Sequence, residues 1–194
     1  MSPASLKKGA TYADLLALPE NVTGQIVDGD LYAMPRPAPR HVVAEGALHV
    51  LLAGPLQFGS GGGPGGWWIL TEPEIHMGPH VLVPDLAGWR RSRLPSPPTQ
   101  GQFTMTPDWV CEILSPSTHA FDHKKKRRVY AEQKVPHLWF VDPISKSIDV
   151  LRLSGDLYSI VDTFGGDDKA RIEPFEAVEL DLGLLWLPDS PSVE

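Results

Sequence analysis

The stretch "PDWVCEILSPST", residues 107–118, sets a carboxylate inside an apolar run. Val110, Ile113 and Leu114 read as a buried β-strand, and Glu112 stands among them. An isolated buried charge is too costly to leave alone. Glu112 must be paired, hydrogen-bonded, protonated or bound to a cation. A second acid poses the same problem: Asp85 interrupts "VLVPDLAGW", which also reads as a strand. Alternate strand residues share a face. Asp85 is therefore expected beside Val83 and Ala87, and Glu112 beside Val110 and Leu114. If the strands are neighbours, the two acids converge, and converging acids strongly raise one another's pKa. A hard divalent cation with oxygen ligands relieves that repulsion. The plainer alternative is that each acid meets an arginine or backbone amides.

Residues 118–134, "THAFDHKKKRRVYAEQK", read as the helix that follows. At about 100° per residue, Val129 and Tyr130 mark its apolar direction. Lys126 falls within about 10–20° of the middle of that pair on the same geometry. Lys124 and Arg128 point nearly the opposite way, and Lys125 lies at the side. Lys126 is thus the cation expected to face inward, one turn before Tyr130. Two acids, a metal and a lysine suit phosphodiester hydrolysis. The metal would polarise the phosphate and acidify a bound water. The lysine would stabilise the growing negative charge. Lys124, Lys125, Arg127 and Arg128 are expected to contact flanking phosphates.

The rest of the chain supplies the scaffold. "TYADLLAL" reads as a short helix closed by Pro19, within an N-terminal helical segment over residues 1–19. Asp28-Gly29 between apolar residues signals a hairpin. "HVVAEGALHVLLAGPLQ" is a helix in which Val43, Ala47, Val50 and Leu51 recur at helical spacing. "GSGGGPGG" lacks a following Gly-Lys-Ser/Thr and reads as a linker, not a phosphate cradle. Strands are expected at 67–77, 81–89, 108–114, 137–143, 147–153 and 156–164. Residues 20–188 form the main domain, and 189–194 a loose tail. Several strands with one early and one late helix define an α/β or α+β domain with a mixed sheet and packed helices.

The chain has 194 residues and is 42% hydrophobic, enough for a core. No stretch approaches the roughly 18–20 apolar residues of a membrane span, and no signal-peptide core opens it. One cysteine, Cys111, excludes an internal disulfide and fits a reducing cytoplasm. The formal net charge of −7 argues against coating nucleic acid by bulk electrostatics, so any DNA contact must be focused. His119 and His123 have metal-binding spacing. Cys111, however, should face away from Glu112, and no zinc site is expected. His41 opens a helix, where a structural role competes with binding phosphate or water. The six tryptophans read as core and dimer-interface residues, not base-stacking platforms.

"VPDLAGWRRSRLP", "PDWVCEILSPST" and "FDHKKKRRVYAEQKVPHLWFVDP" together resemble the bacterial restriction-endonuclease-like family of the PD-(D/E)XK nuclease superfamily. The resemblance spans roughly residues 20–190. It implies a restriction-endonuclease-like fold: a central mixed β-sheet flanked by helices, with additional hairpins. It also implies cleavage of DNA by an endonuclease dependent on Mg²⁺ or Mn²⁺, with no organic cofactor and with a homodimer as the working form. Asp85 maps to the first metal-binding acid and Glu112 to the second, and the Ile113 carbonyl is a further expected metal ligand. The superfamily's lysine ordinarily follows the second acid by two residues, where this chain has Leu114. The resemblance moves that role to Lys126, in agreement with the helical phase. Glu45 and Glu74 are candidates for an additional acid, against the plainer readings of an exposed helix glutamate and a surface strand position. A contrasting reading keeps the fold but not the reaction: a catalytically inactive module that binds nucleic acid or protein.

Overall fold

Every side chain from Trp109 to Ile113 is buried, as a strand covered on both faces requires. The computed structural model describes residues 3, 5–34, 36–99 and 101–188, so the tail expected at 189–194 lies outside the described residues. In chain order the elements are β1 (Ser5–Lys7), α1 (Tyr12–Leu16), β2 (Gly24–Val27), β3 (Asp30–Ala33), α2 (Pro39–Gln57), β4 (Trp67–Thr71), β5 (Glu74–Met77), β6 (His80–Leu82) and β7 (Leu86–Arg90). Then come β8 (Gln102–Phe103), β9 (Trp109–Ile113), α3 (His119–Phe121), a π-helical turn (Asp122–Lys126), α4 (Arg127–Glu132), β10 (His137–Asp142), β11 (Ser147–Ser154), β12 (Leu157–Gly165), β13 (Lys169–Ala170) and β14 (Leu180–Asp181).

Twelve strands form two six-stranded mixed sheets, ordered β12-β11-β10-β9-β7-β4 and β1-β3-β2-β6-β5-β8, and β13 and β14 pair as a separate antiparallel ribbon. The hairpins expected around a central sheet thus join into a second one. The N-terminal segment contributes a strand as well as a helix, because β1 pairs with β3. Asp28 and Gly29 both have positive φ (55° and 74°), the backbone a tight two-residue hairpin needs.

Strand alternation divides the core. Trp109, Cys111 and Ile113 enter one cluster with Ala44, Leu48 and Leu52 of α2. Val110 and Leu114 enter the other, with Ile75 and Leu82 of the second sheet and Val129 and Tyr130 of α4. The sheet that holds β9 is therefore covered by α2 on one face. On the other it meets the second sheet and the late helix. A small third cluster joins Leu15 and Leu18, around α1, to Ile26, Leu31 and Val81.

Helix α2 starts at Pro39, whose fixed φ and missing N–H suit a first turn. Its buried stripe is Ala44, Leu48, Leu52, Ala53 and Leu56. Each buried leucine contributes about 1.5–3 kcal/mol of transfer free energy. The expected stripe was centred differently, and Val50 is 69% exposed. Apolar residues occur on both sides of this helix, so spacing alone selects no face. Trp67, Trp89, Trp109, Trp139 and Trp186 are buried. Trp68 is half-buried under the Arg91 guanidinium, 4.0 Å from its ring centre.

Candidate functional site

Asp85 does not lie on a strand. β6 ends at Leu82 in one sheet and β7 begins at Leu86 in the other, so Val83, Pro84 and Asp85 carry the chain between layers. The expected face shared with Val83 and Ala87 does not exist. Pro84 has no N–H for a ladder, which fits a break there. The register nevertheless brings the acids together. Leu86 lies opposite Cys111 and Ala87 opposite Val110, so the next step sets Asp85 against Glu112. The Ile113 amide donates to Asp85 Oδ2 at 2.5 Å. It is thus the amide of Ile113 that anchors this acid.

Glu112 is 1% exposed and bonded through both oxygens. The Lys126 ammonium donates to its Oε2 at 2.8 Å, and the Tyr130 hydroxyl donates to its Oε1 at 2.5 Å. Lys126 also faces Asp122 Oδ1 at 3.5 Å and the Val83 carbonyl at 3.5 Å. Lys126 and Asp122 are both buried. Burial lifts the Glu112 carboxyl, and the adjoining ammonium partly pulls it back. Burial alone would lower Lys126, but Glu112, Asp122 and Asp85 outweigh it, and the amine is held firmly charged. The inward phase read for Lys126 is what the helix adopts, across its π turn.

Around Asp85 a second group gathers from α2. His41 Nε2 lies 3.1 Å from Asp85 Oδ1 and 3.8 Å from Glu45 Oε2. One ligand atom from each of His41, Glu45 and Asp85 lies within 4.8 Å of the other two. Burial would lower His41, but the Asp85 hydrogen bond and the charges of Asp85, Glu45 and Glu112 raise it overall. Burial, with Asp85 and Glu72 nearby, pushes Glu45 up to about 7 against the pull of His41. Two carboxylates and an imidazole, brought together in a half-buried place, fit a divalent cation. Glu112 is not one of these three; its oxygens serve Lys126 and Tyr130.

These groups meet at an open cleft of about 310 Å³. Asp85, Glu112, Lys126, His41, Ile113 and Asp122 line it, with Glu72 and Arg36 among the others; Glu45 stands behind this lining, beside His41. Glu74 does not line it. The Tyr12 hydroxyl donates to Glu74 at 2.8 Å, and His76 Nε2 lies 2.7 Å from the same oxygen. None of Lys124, Lys125, Arg127 and Arg128 lines the cleft either. Lys124 is exposed, Lys125 donates to the Tyr32 hydroxyl at 2.6 Å, Arg127 donates to the Tyr158 carbonyl at 2.9 Å, and Arg128 pairs with Asp28 and Glu132. The phase that turns Lys126 inward turns these four away. The His119 and His123 rings are tilted against each other at 4.4 Å between centres, and His123 stacks on Phe140 at 4.1 Å. Sequence reasoning missed Asp122 and Arg36 and undervalued His41. Asp122 sits four residues before Lys126, a spacing that sets both on one helix face. Arg36 follows only from the three-dimensional path of the proline-rich connector.

The two sheets, the covering helices and the acid cleft define a restriction-endonuclease-like fold. Among solved structures, one described as "a putative nuclease belonging to DUF820" from Anabaena variabilis superposes with a TM-score of 0.73 at 21% identity, over 91% of this chain and 97% of that one. No curated protein matches the chain. The family Uma2, described as "Putative restriction endonuclease", matches residues 11–183, and the chain belongs to that family.

Proposed function

We propose that the protein is a divalent-metal-dependent DNA endonuclease that works as a cytoplasmic homodimer, one copy per strand. The observation that supports this most is the buried Glu112–Lys126 pair opening onto the same cleft as Asp85. Asp85 and Glu45 would supply oxygen donors to Mg²⁺ or Mn²⁺. When bound, such a cation polarises a phosphate and makes a water nucleophilic near neutral pH. The Ile113 amide orients Asp85. Lys126 keeps its charge beside the phosphate and stabilises negative charge developing there. Glu112 and Asp122 hold that ammonium in place, and Tyr130 fixes Glu112. Arg36, at the cleft, takes a flanking phosphate contact.

The full-length protein with Mg²⁺ or Mn²⁺ is expected to nick supercoiled plasmid. Asp85→Asn abolishes nicking, and Glu74→Gln, away from the cleft, leaves it intact. Equal nicking by wild type and Asp85→Asn would sink the proposal. One observation favours the non-catalytic reading: both oxygens of Glu112 are already engaged within the protein. Binding of DNA with no cleavage and no cation uptake would establish that reading instead.

A further inference from the structure

We propose that His41 is a nitrogen ligand of the cation at this site, so that the cleft selects a transition-metal dication over Mg²⁺. The inference rests on the metal-dependent reading above and specifies the donor set. His41 and Glu45 are one turn apart on α2 and project from the same face. Their ligand atoms lie 3.8 Å apart, and His41 Nε2 is 3.1 Å from Asp85 Oδ1. The three side chains are 12%, 17% and 19% exposed, so the cluster is largely withdrawn from water yet open on the cleft side.

Two further facts point to nitrogen. Both Glu112 oxygens are taken by Lys126 and Tyr130, which leaves the imidazole as the neighbouring donor beside Asp85 and Glu45. His41 Nδ1 is buried and has no partner among the described residues. Nothing on that side fixes the tautomer, and Nε2 is at liberty to present its lone pair to a cation instead of a proton to Asp85. A site with one imidazole and two carboxylates favours first-row transition dications in the Irving–Williams order. Mg²⁺ prefers an all-oxygen octahedron and gives up its water reluctantly. A purely structural His41, which only donates to Asp85, would add no such preference.

The test uses the full chain with Mn²⁺ and reads binding, not cleavage. Electron spin-echo spectra of bound Mn²⁺ are expected to show nitrogen coupling that responds to isotope-labelled histidine, and to lose it in His41→Gln. Mn²⁺ affinity in that variant falls on the order of tenfold or more while Mg²⁺ affinity changes little. Glu112→Gln keeps the coupling. His41→Asn serves as the second variant if circular dichroism shows His41→Gln unfolded, and the wild-type spectrum stands independently of both. Bound Mn²⁺ without histidine coupling overturns the inference and spares the metal-dependent reading. So does an equal loss of Mn²⁺ and Mg²⁺ affinity on replacing His41. Failure to bind any divalent cation overturns both.

Discussion

Lys126 and Glu112 are each almost wholly buried, and the energetics of such a pair are asymmetric. The two charges together roughly break even against an apolar pair, but removing one strands the other. Lys126→Met is expected to destabilise the protein by about 3–5 kcal/mol in urea melts. Lys126→Met combined with Glu112→Gln recovers much of that loss, because a neutral amide still accepts the Tyr130 hydroxyl. A double variant no more stable than Lys126→Met alone would show that the pair is not what holds this region. Asp122 complicates the cycle in a defined way: it also faces Lys126, so part of the loss remains until it too is neutralised.

At the scale of elements, α2 and the helix of residues 119–132 teach different lessons. Lys126 was legible in the sequence because Val129 and Tyr130 fix an apolar direction and every other nearby cation falls off it. The hairpin at Asp28-Gly29 and the outward turn of Cys111 from Glu112 were legible for similarly local reasons. α2 was not, since valines and leucines occur all round it. Only contact with β9 shows that Leu48 faces the core and Val50 faces water. Leu48→Ala is therefore expected to cost about 2–5 kcal/mol. Val50→Lys should stay within about 0.5 kcal/mol of wild type. Thermal or urea unfolding of the two variants checks the assignment, and a severe loss in Val50→Lys would contradict it. The same ambiguity hid the break around Asp85. The run Val81-Leu82-Val83 followed by Leu86 looks like one strand, and Pro84 is the only local sign that it is two. Glu45 and His41 could be named as candidates but not joined to Asp85, because a polar residue on a helix gives no hint of what lies across from it.

For the whole molecule, the gathering of acids on one cleft links stability to pH and to cations. The folded chain keeps the Glu45 carboxyl up at about 7, whereas its ordinary value is 4.5. Between those values the native state holds a proton that the unfolded chain has released. Glu45 therefore makes unfolding free energy fall as pH rises from about 4.5 to about 7, and the Glu112 carboxyl, lifted to about 8, extends the fall. Glu45→Gln removes its share of the fall. A bound divalent cation displaces the proton, so uptake near neutral pH releases acid and restores stability. Denaturant titrations across that range with and without Mn²⁺ measure both effects, and a Glu45→Gln curve that still falls in parallel with wild type would rule out Glu45 as the source. The net charge of −7 acts in the same sense: a dication at the cleft relieves repulsion that the whole surface shares.

The three residues from Val83 to Asp85 cross from one sheet to the other, and this short passage has a consequence for when the protein becomes competent. A slip of either sheet by one residue moves the chain about 3.3 Å, more than the contacts of Asp85 with Ile113 and His41 can absorb. His41, Asp85 and Glu112 come from well-separated parts of the chain, so their meeting waits on the slowest, most non-local steps of folding. A half-folded copy therefore carries every residue of the cleft and none of its alignment. Under the proposed function, a newly made chain is harmless to its host's DNA until both layers have closed.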